Sequence, residues 1–380
     1  MAKRSVWGRD WNGGYVSTDA PVIDGSSNER TPSAMSNDGP GAPSAPRHGS
    51  SLARRFGTRV ARSNQLGVAI VTVVLIFGIG SQHSEFLRVK SLANIAQSAS
   101  AFGIIALGMV FLMAMRELDL SVGGIYSLSL ITAALVIRDG GVDPWVGGLI
   151  ALVAGVLLGM LNGIAANFLK LPVLIISLAA TSIYRGIGLI RTNATGVSTI
   201  QRDADNEKIT SSFYDVLGGE YFGVPAIVYA FLLAAVVMSF VFRFTRFGFA
   251  IRAIGSNPQA AALSGYSVAR LRVAATALVG AMAGLSAVMT LAFFEAADPN
   301  QGLGYEFLVI AAAIIGGTGL AGGRGSVGGA ALGAIIISVI QAGLVQFGVN
   351  PNAGLLVTGT VILAAVALDS VIRRRQARAS

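Results

Sequence analysis

The chain has 380 residues, 53% hydrophobic and 12% charged, with a mean hydropathy of +0.67; a soluble protein of this length would need far more charge to cover its surface. Cysteine is absent, and His48 and His83 are the only histidines, which excludes disulfides, thiolate metal sites and cysteine nucleophiles and leaves little for any metal site or acid–base relay. The formal charge of +9 is spread over the flanks of apolar blocks rather than along one stripe, the pattern of membrane topology rather than of nucleic-acid binding.

Residues 1 to about 64 read as a disordered tail. Gly25–Ser26–Ser27–Asn28 and the Gly- and Pro-rich stretch 39–46 carry too little apolar surface to offset ordering entropy. The first apolar run starts near Leu66, too far from the N-terminus for a signal peptide. Arg54, Arg55, Arg59 and Arg62 precede it and place the tail in the cytoplasm. Ten hydrophobic blocks follow, near 65–81, 95–115, 122–137, 145–168, 172–190, 224–242, 271–293, 306–321, 327–347 and 353–372. The expected fold is an all-α integral membrane protein of about ten helices. Several blocks fall short of the roughly 20 residues that a span needs, so Gly-rich broken-helix joints are expected inside protein, where irregular backbone survives at membrane depth.

Ten spans put both termini on one side. Arg116, Lys170, Arg243, Arg246, Arg252, Arg270, Arg272 and Arg324 lie in or beside the connections of that side, and Arg373, Arg374, Arg375 and Arg378 make residues 373–380 a basic tail. The opposite side has Arg88, Lys90, Arg138, Arg191, Arg202 and Lys208 with most of the loop acids. This bias predicts both termini in the cytoplasm. It makes 65–372 the membrane domain, 191–222 an external loop and 243–272 an internal one. The polar external loop, together with Arg88, Lys90, Arg191 and Arg202, is the expected docking face for a soluble partner.

Four segments stand out in chain order. In Arg116–Glu117–Leu118–Asp119–Leu120–Ser121–Val122–Gly123–Gly124, three ionisable groups in four positions either face a cavity or pair internally, Arg116 with Glu117 or Asp119. Gly155, Gly159 and Gly163 repeat every four residues, as do Gly325, Gly329 and Gly333, with Gly280 and Gly284 a shorter case; such faces let helices approach closely in lipid. In 246–266, Asn257 suits an N-cap, Pro258 the first helical position and Gly265 the left-handed residue past the end. The result is an isolated helix of about two turns, marginal alone, which either docks on another protein through its triple alanine or is a plain structured loop. The run Gly316 to Val327 contains Gly322, Gly323, Gly325 and Ser326. No Gly-Lys-Ser/Thr P-loop accompanies it, so it reads as a tightly turned helix joint rather than a phosphate cradle.

The 246–266 segment resembles the coupling loop of bacterial monosaccharide (ribose/xylose-type) ABC importer permeases, matching at Gly248, Ala253, Ile254, Gly255, Asn257, Ala260, Ala261, Ser264 and Gly265. The segment at Asp119, Leu120, Ser121, Val122 and Gly123 is similar to a second motif of that family. Arg116 and Glu117 replace the family's usual pair of glycines, and Glu117 looks like the xylose-type variant. The 316–326 run resembles a third motif, and Leu161–Asn162–Gly163 and Tyr184–Arg185–Gly186 are weaker echoes. The resemblance covers roughly 65–372. It implies a non-enzymatic transmembrane subunit of the cell membrane, with no cofactor of its own. Its partners would be a second permease copy, a cytoplasmic ABC ATPase that carries ATP and magnesium, and an external sugar-binding protein. The 257–265 helix would couple to the ATPase, while Glu117, Asp119, Ser121, Gly123, Asn162 and Arg185 would line or gate the sugar's path, with Gly123 allowing the sharp joint. The rivals are related permeases for branched-chain amino acids, nucleosides or a signalling sugar, and an ion-coupled transporter using Glu117, Asp119 and Glu306.

Overall fold

The computed structural model describes residues 64–200 and 211–350, and the isolated positions 354, 356, 359, 360 and 363. The expected tail, most of the tenth block at 353–372, the basic 373–380 segment and Arg202 lie outside the described residues.

Eight helices among the described residues are long and apolar enough to cross a membrane. They are α1 (Asn64–Gln82), α2 (Val89–Ala114), α3 (Val122–Gly140), α4 (Pro144–Leu169), α5 (Val173–Thr192), α7 (Ala226–Phe244), α10 (Val268–Phe294) and α12 (Val327–Gln346). Short elements lie between them: α6 (Ser212–Leu217), α8 (Arg246–Ser256), α9 (Pro258–Leu263) and α11 (Tyr305–Ile315). Four two-residue strands form two antiparallel pairs: β1 (Val197–Ser198) with β4 (Ala296–Ala297), and β2 (Glu220–Tyr221) with β3 (Val224–Pro225).

The eighth expected span is corrected. Instead of 306–321, α11 has 11 residues, about 16 Å at 1.5 Å per residue, roughly half a hydrocarbon core. Gly316 ends it, and Gly317 follows with φ of 91°, a conformation that stops a helix in which every apolar residue up to Ile315 still fits. Elsewhere the ends follow local chemistry. At the start of α4, Pro144 takes the first helical position and the Asp143 carboxylate accepts from the Trp145 amide at 2.8 Å. Gly141 closes α3 in the left-handed conformation.

Most of the core comes from α2, α3, α10 and α12, whereas α1, α4, α5 and α7 turn apolar faces outward, with Val74, Phe77, Leu178, Ile190, Leu233 and Val236 exposed. That inversion suits lipid. The tightest helix pair is α4 with α10. A Cβ on Gly159 would overlap the Thr276 carbonyl oxygen, and one on Gly155 the carbonyl oxygen of Gly280. The expected glycine stripe is therefore a backbone-to-backbone interface. In the other stripe Gly325 precedes α12, and Gly329 and Gly333 on the helix likewise meet backbone, where a Cβ would overlap the carbonyl oxygens of Gly316 and Ala312.

Two ends of the bundle are defined by contacts. At one, Arg116 reaches the end of α8, Gly323 bonds Ala114, and Glu117 meets Arg272 and Val173. At the other, His83 packs on Phe347 at 4.8 Å, Trp145 bonds Ser212, and β1 pairs with β4.

Candidate functional site

The 243–272 segment is built from two caps in succession. Thr245 Oγ1 accepts from the Gly248 amide at 3.2 Å and starts α8. Asn257 leaves the helical conformation (φ −153°, ψ 100°), and its Oδ1 accepts from the amides of Gln259 and Ala260 at 3.1 and 3.0 Å. Pro258 opens α9 as expected, and Gly265 takes φ of 89° after Ser264. Gly255 lies inside α8, where a Cβ would collide with the Ala114 carbonyl. Two details depart from the sequence reading. Ala261 is buried within this chain, so the alanines do not all face outward. The side chain that α9 presents is Leu263, 91% exposed, with Ala260, Ala262 and Gln259 also exposed beside the buried Ala261. Ile254 and Gly248 are buried and Ala253 half-buried, holding α8 to the bundle.

Arg116 forms no ion pair with Glu117 or Asp119. From a left-handed backbone (φ 68°), its Nε donates to Gly255 O at 2.6 Å and its Nη2 to Ser256 O at 3.0 Å. A cation thus satisfies the last carbonyls of α8. Glu117 instead meets Arg272, 2.8 Å from Nη2 and 3.0 Å from Nε, and accepts from the Val173 amide at 3.1 Å. Arg272 Nη1 also donates to Asn167 Oδ1 at 2.8 Å. One carboxylate therefore ties the 115–121 joint to the starts of α5 and α10.

The joint itself runs inside the bundle. Its backbone is satisfied by α5 hydroxyls: Leu120 N donates to Ser177 Oγ at 2.9 Å, and Thr181 Oγ1 donates to Leu120 O at 2.8 Å. Asp119 is fully buried. It accepts from Ser121 N at 2.7 Å, from Ser121 Oγ at 2.5 Å and from Asn162 Nδ2 at 3.2 Å. Tyr184 donates to Asn162 Oδ1 at 2.8 Å. In this connection, outside both flanking helices, burial raises the Asp119 carboxyl's pKa and the Ser121 and Asn162 hydrogen bonds oppose the rise. Asp119, Ser121 and Asn162, which the sequence proposed together, form one closed network. All three are buried.

Gly123 is also reassigned. It lies in the first turn of α3, not at the joint, and a Cβ there would overlap Gly302 O and approach Glu306 and Arg185. Arg185 Nη2 donates to Gly302 O at 2.8 Å and stands 3.9 Å from Glu306 Oε2. The group clamps the 295–304 connection against α3. The 316–326 joint is satisfied in the same manner as the first: Gly323 N donates to Ala114 O at 2.9 Å, Ser326 N donates to Thr318 Oγ1 at 3.2 Å, and Ser326 Oγ caps α12 through Gly329 N at 2.9 Å. Gly322 and Gly323 adopt φ of 74° and 75°. Ser121 and Ser326, each followed by Val-Gly-Gly, both stand at the N-terminus of a helix that follows a broken joint.

At the other end, Arg88 is exposed and pairs with Glu85 at 2.9 Å; Lys90 and Arg191 are exposed. Arg272, Leu263, Ser177, Thr181 and Tyr184 were not singled out as site residues by the sequence. Arg272 had left a signal as one basic residue among several, and Tyr184 as part of the weaker Tyr184–Arg185–Gly186 echo.

A family model described as branched-chain amino acid transport system / permease component matches residues 91–366, most of the chain and every joint described above. The chain belongs to this permease family. The permease is 33% identical to the D-allose transport system permease protein AlsC of Escherichia coli, over 82% of its own length and 93% of the relative. It is 32% identical to the ribose import permease protein RbsC of Bacillus subtilis, over 80% and 92% of the two chains. It is 30% identical to the xylose transport system permease protein XylH of Escherichia coli, over 81% and 92%. The permease is thus a multi-pass cell-membrane protein and a transport component, not an enzyme; in ABC importers ATP hydrolysis resides in a separate subunit.

Proposed function

We propose that the permease carries a monosaccharide inward across the cell membrane, driven by an ABC ATPase that docks on α9. The observation that carries this reading is the capped six-residue α9, which displays the 91%-exposed Leu263 at the bundle end. So short a helix gains little by itself and is expected to be stabilised by a partner. The relatives named for allose, ribose and xylose support a sugar as cargo.

In this reading both termini and the α8–α9 end face the cytoplasm, as the arginine bias predicts. Two permease copies pair, and each receives one ATPase on Leu263, Ala260 and Ala262. The ATPase holds ATP and magnesium; the permease holds no cofactor. An external sugar-binding protein meets the end that carries Arg88, Lys90 and Arg191. Closure of the ATPase pair displaces α9. Arg116 and the Glu117–Arg272 pair pass that displacement to the 115–121 joint, since they bond the end of α8 and the start of α10 directly to it. Differential binding of the two access states, not chemistry by the permease, then moves the sugar.

Proteoliposomes containing the permease, its ATPase and its binding protein test this. ATP-dependent uptake of labelled D-allose, D-ribose or D-xylose is expected, with none of L-leucine. Uptake of L-leucine and of no sugar would overturn the cargo. ATP hydrolysis by the isolated permease would overturn the division of labour.

A further inference from the structure

A cavity of about 590 Å³ opens among α2, α3, α10, α11, α12 and the 295–304 connection, within the roughly 300–1,000 Å³ range of small-molecule sites. It belongs to none of the networks above. Its place is the end opposite α9: Asn94 and Gln97 are in the first turns of α2, and Gln301 is in the connection that follows β4.

The chemistry of its wall is specific. Four amides, from Asn94, Gln97, Gln301 and Gln341, converge with the rings of Tyr126 and Tyr305. The two rings pack 5.1 Å apart. The side chains of Gln97 and Gln341 are half-buried and make no hydrogen bond among the described residues. Among the described residues, no Asp, Glu, Lys, Arg or His contributes to the lining. An amide both donates and accepts, as each hydroxyl of a sugar does, and an aromatic wall suits the apolar face of a pyranose or furanose ring. A zwitterionic amino acid would instead leave a carboxylate and an ammonium unpaired, which is costly at a half-buried site.

We infer that this cavity is a binding site for a neutral, hydroxyl-rich ring, the subsite that receives the monosaccharide inside the permease. The inference rests on the importer reading and places sugar recognition on Gln97, Gln301 and Gln341 rather than on the Asp119 network.

The cysteine-free chain makes the test direct, because Gln97→Cys and Gln341→Cys each create a single thiol. The full-length permease is reconstituted in nanodiscs, and the rate of labelling by a small thiol reagent is followed with D-allose, D-ribose, D-xylose or L-leucine added. At least one sugar is expected to slow labelling saturably, about threefold once its concentration is twice the dissociation constant. L-leucine should have no effect, and Leu263→Cys at the far end should label at an unchanged rate. Gln97→Leu and Gln341→Leu, assembled normally with the partners, should raise the KM for uptake about threefold to tenfold, the effect of losing one or two hydrogen bonds. Thiols that do not react without sugar, that are protected only by L-leucine or by a change of lipid, or that ignore every sugar would each overturn the site. If wild-type permease imports a sugar that leaves both thiols unprotected, the cavity is wrong and the importer reading stands. If it imports no sugar, both readings fall.

Discussion

Glu117→Gln should loosen the permease at the point where three segments are tied together. Glu117 and Arg272 are 13% and 23% exposed in their side chains and 2.8 Å apart, with the Val173 amide bonded to the same carboxylate. Removing one member of a fully buried pair costs about 3–5 kcal/mol, and a solvent-exposed pair contributes about 0–1 kcal/mol. With this partial exposure, removing the Glu117 charge should cost about 2 kcal/mol. Arg272→Met should cost a similar amount. The double variant should cost less than the sum, by about 1–2 kcal/mol, because the second change no longer strands a charge. Equilibrium unfolding of the purified permease in a detergent–SDS titration, followed by circular dichroism, measures all three. Costs that add to within about 0.5 kcal/mol would show that the pair does not act as a unit and would refute the tie. In the assembled importer, Glu117→Gln should keep the ATPase bound yet lower the sugar moved per ATP.

Leu263→Glu should release or uncouple the ATPase while leaving the fold intact, whereas Ala261→Trp should disturb α9 itself, since Ala261 is buried within the chain; co-purification of the ATPase and the thermal midpoint of the permease separate the two. Gly159→Leu should prevent a stable fold by pushing α4 from the Thr276 carbonyl, while Gly67→Ala, with nothing near its added carbon, should be silent by size-exclusion profile. Asp119→Asn should cost about 1–3 kcal/mol, because it places an amide among the Ser121 and Asn162 donors; a variant of unchanged stability would mean that the network is dispensable. Arg191→Glu should slow binding-protein-dependent uptake more at low than at high ionic strength, as expected of an exposed charge, and a salt-independent effect would exclude electrostatic docking.

Sequence alone determined whatever depends on neighbours within a few residues or on composition. The long apolar blocks became helices because an unpaired backbone cannot be left in lipid, so α4, predicted at 145–168, runs Pro144–Leu169. Asn257, Pro258 and Gly265 could be assigned because caps act over one turn. The Gly155, Gly159 and Gly163 stripe announced a close helix contact, though not its partner. Tertiary structure decided the rest. Hydropathy counts Leu320 and Ala321 as readily as Ile315, so it could not see α11 stop halfway. Ala261 and Leu263 are both apolar and two positions apart, and only the docking of α9 on this chain buries one and exposes the other. Arg116 had two acids within three positions, yet bonds carbonyls about 140 residues away, and Glu117 pairs with an arginine from another helix. Amide side chains from α2, α12 and a connecting loop meet around one cavity only because the helices bring distant segments together. Charge partners and cavities are set by distances through space, and a linear pattern holds no record of them until the helices pack.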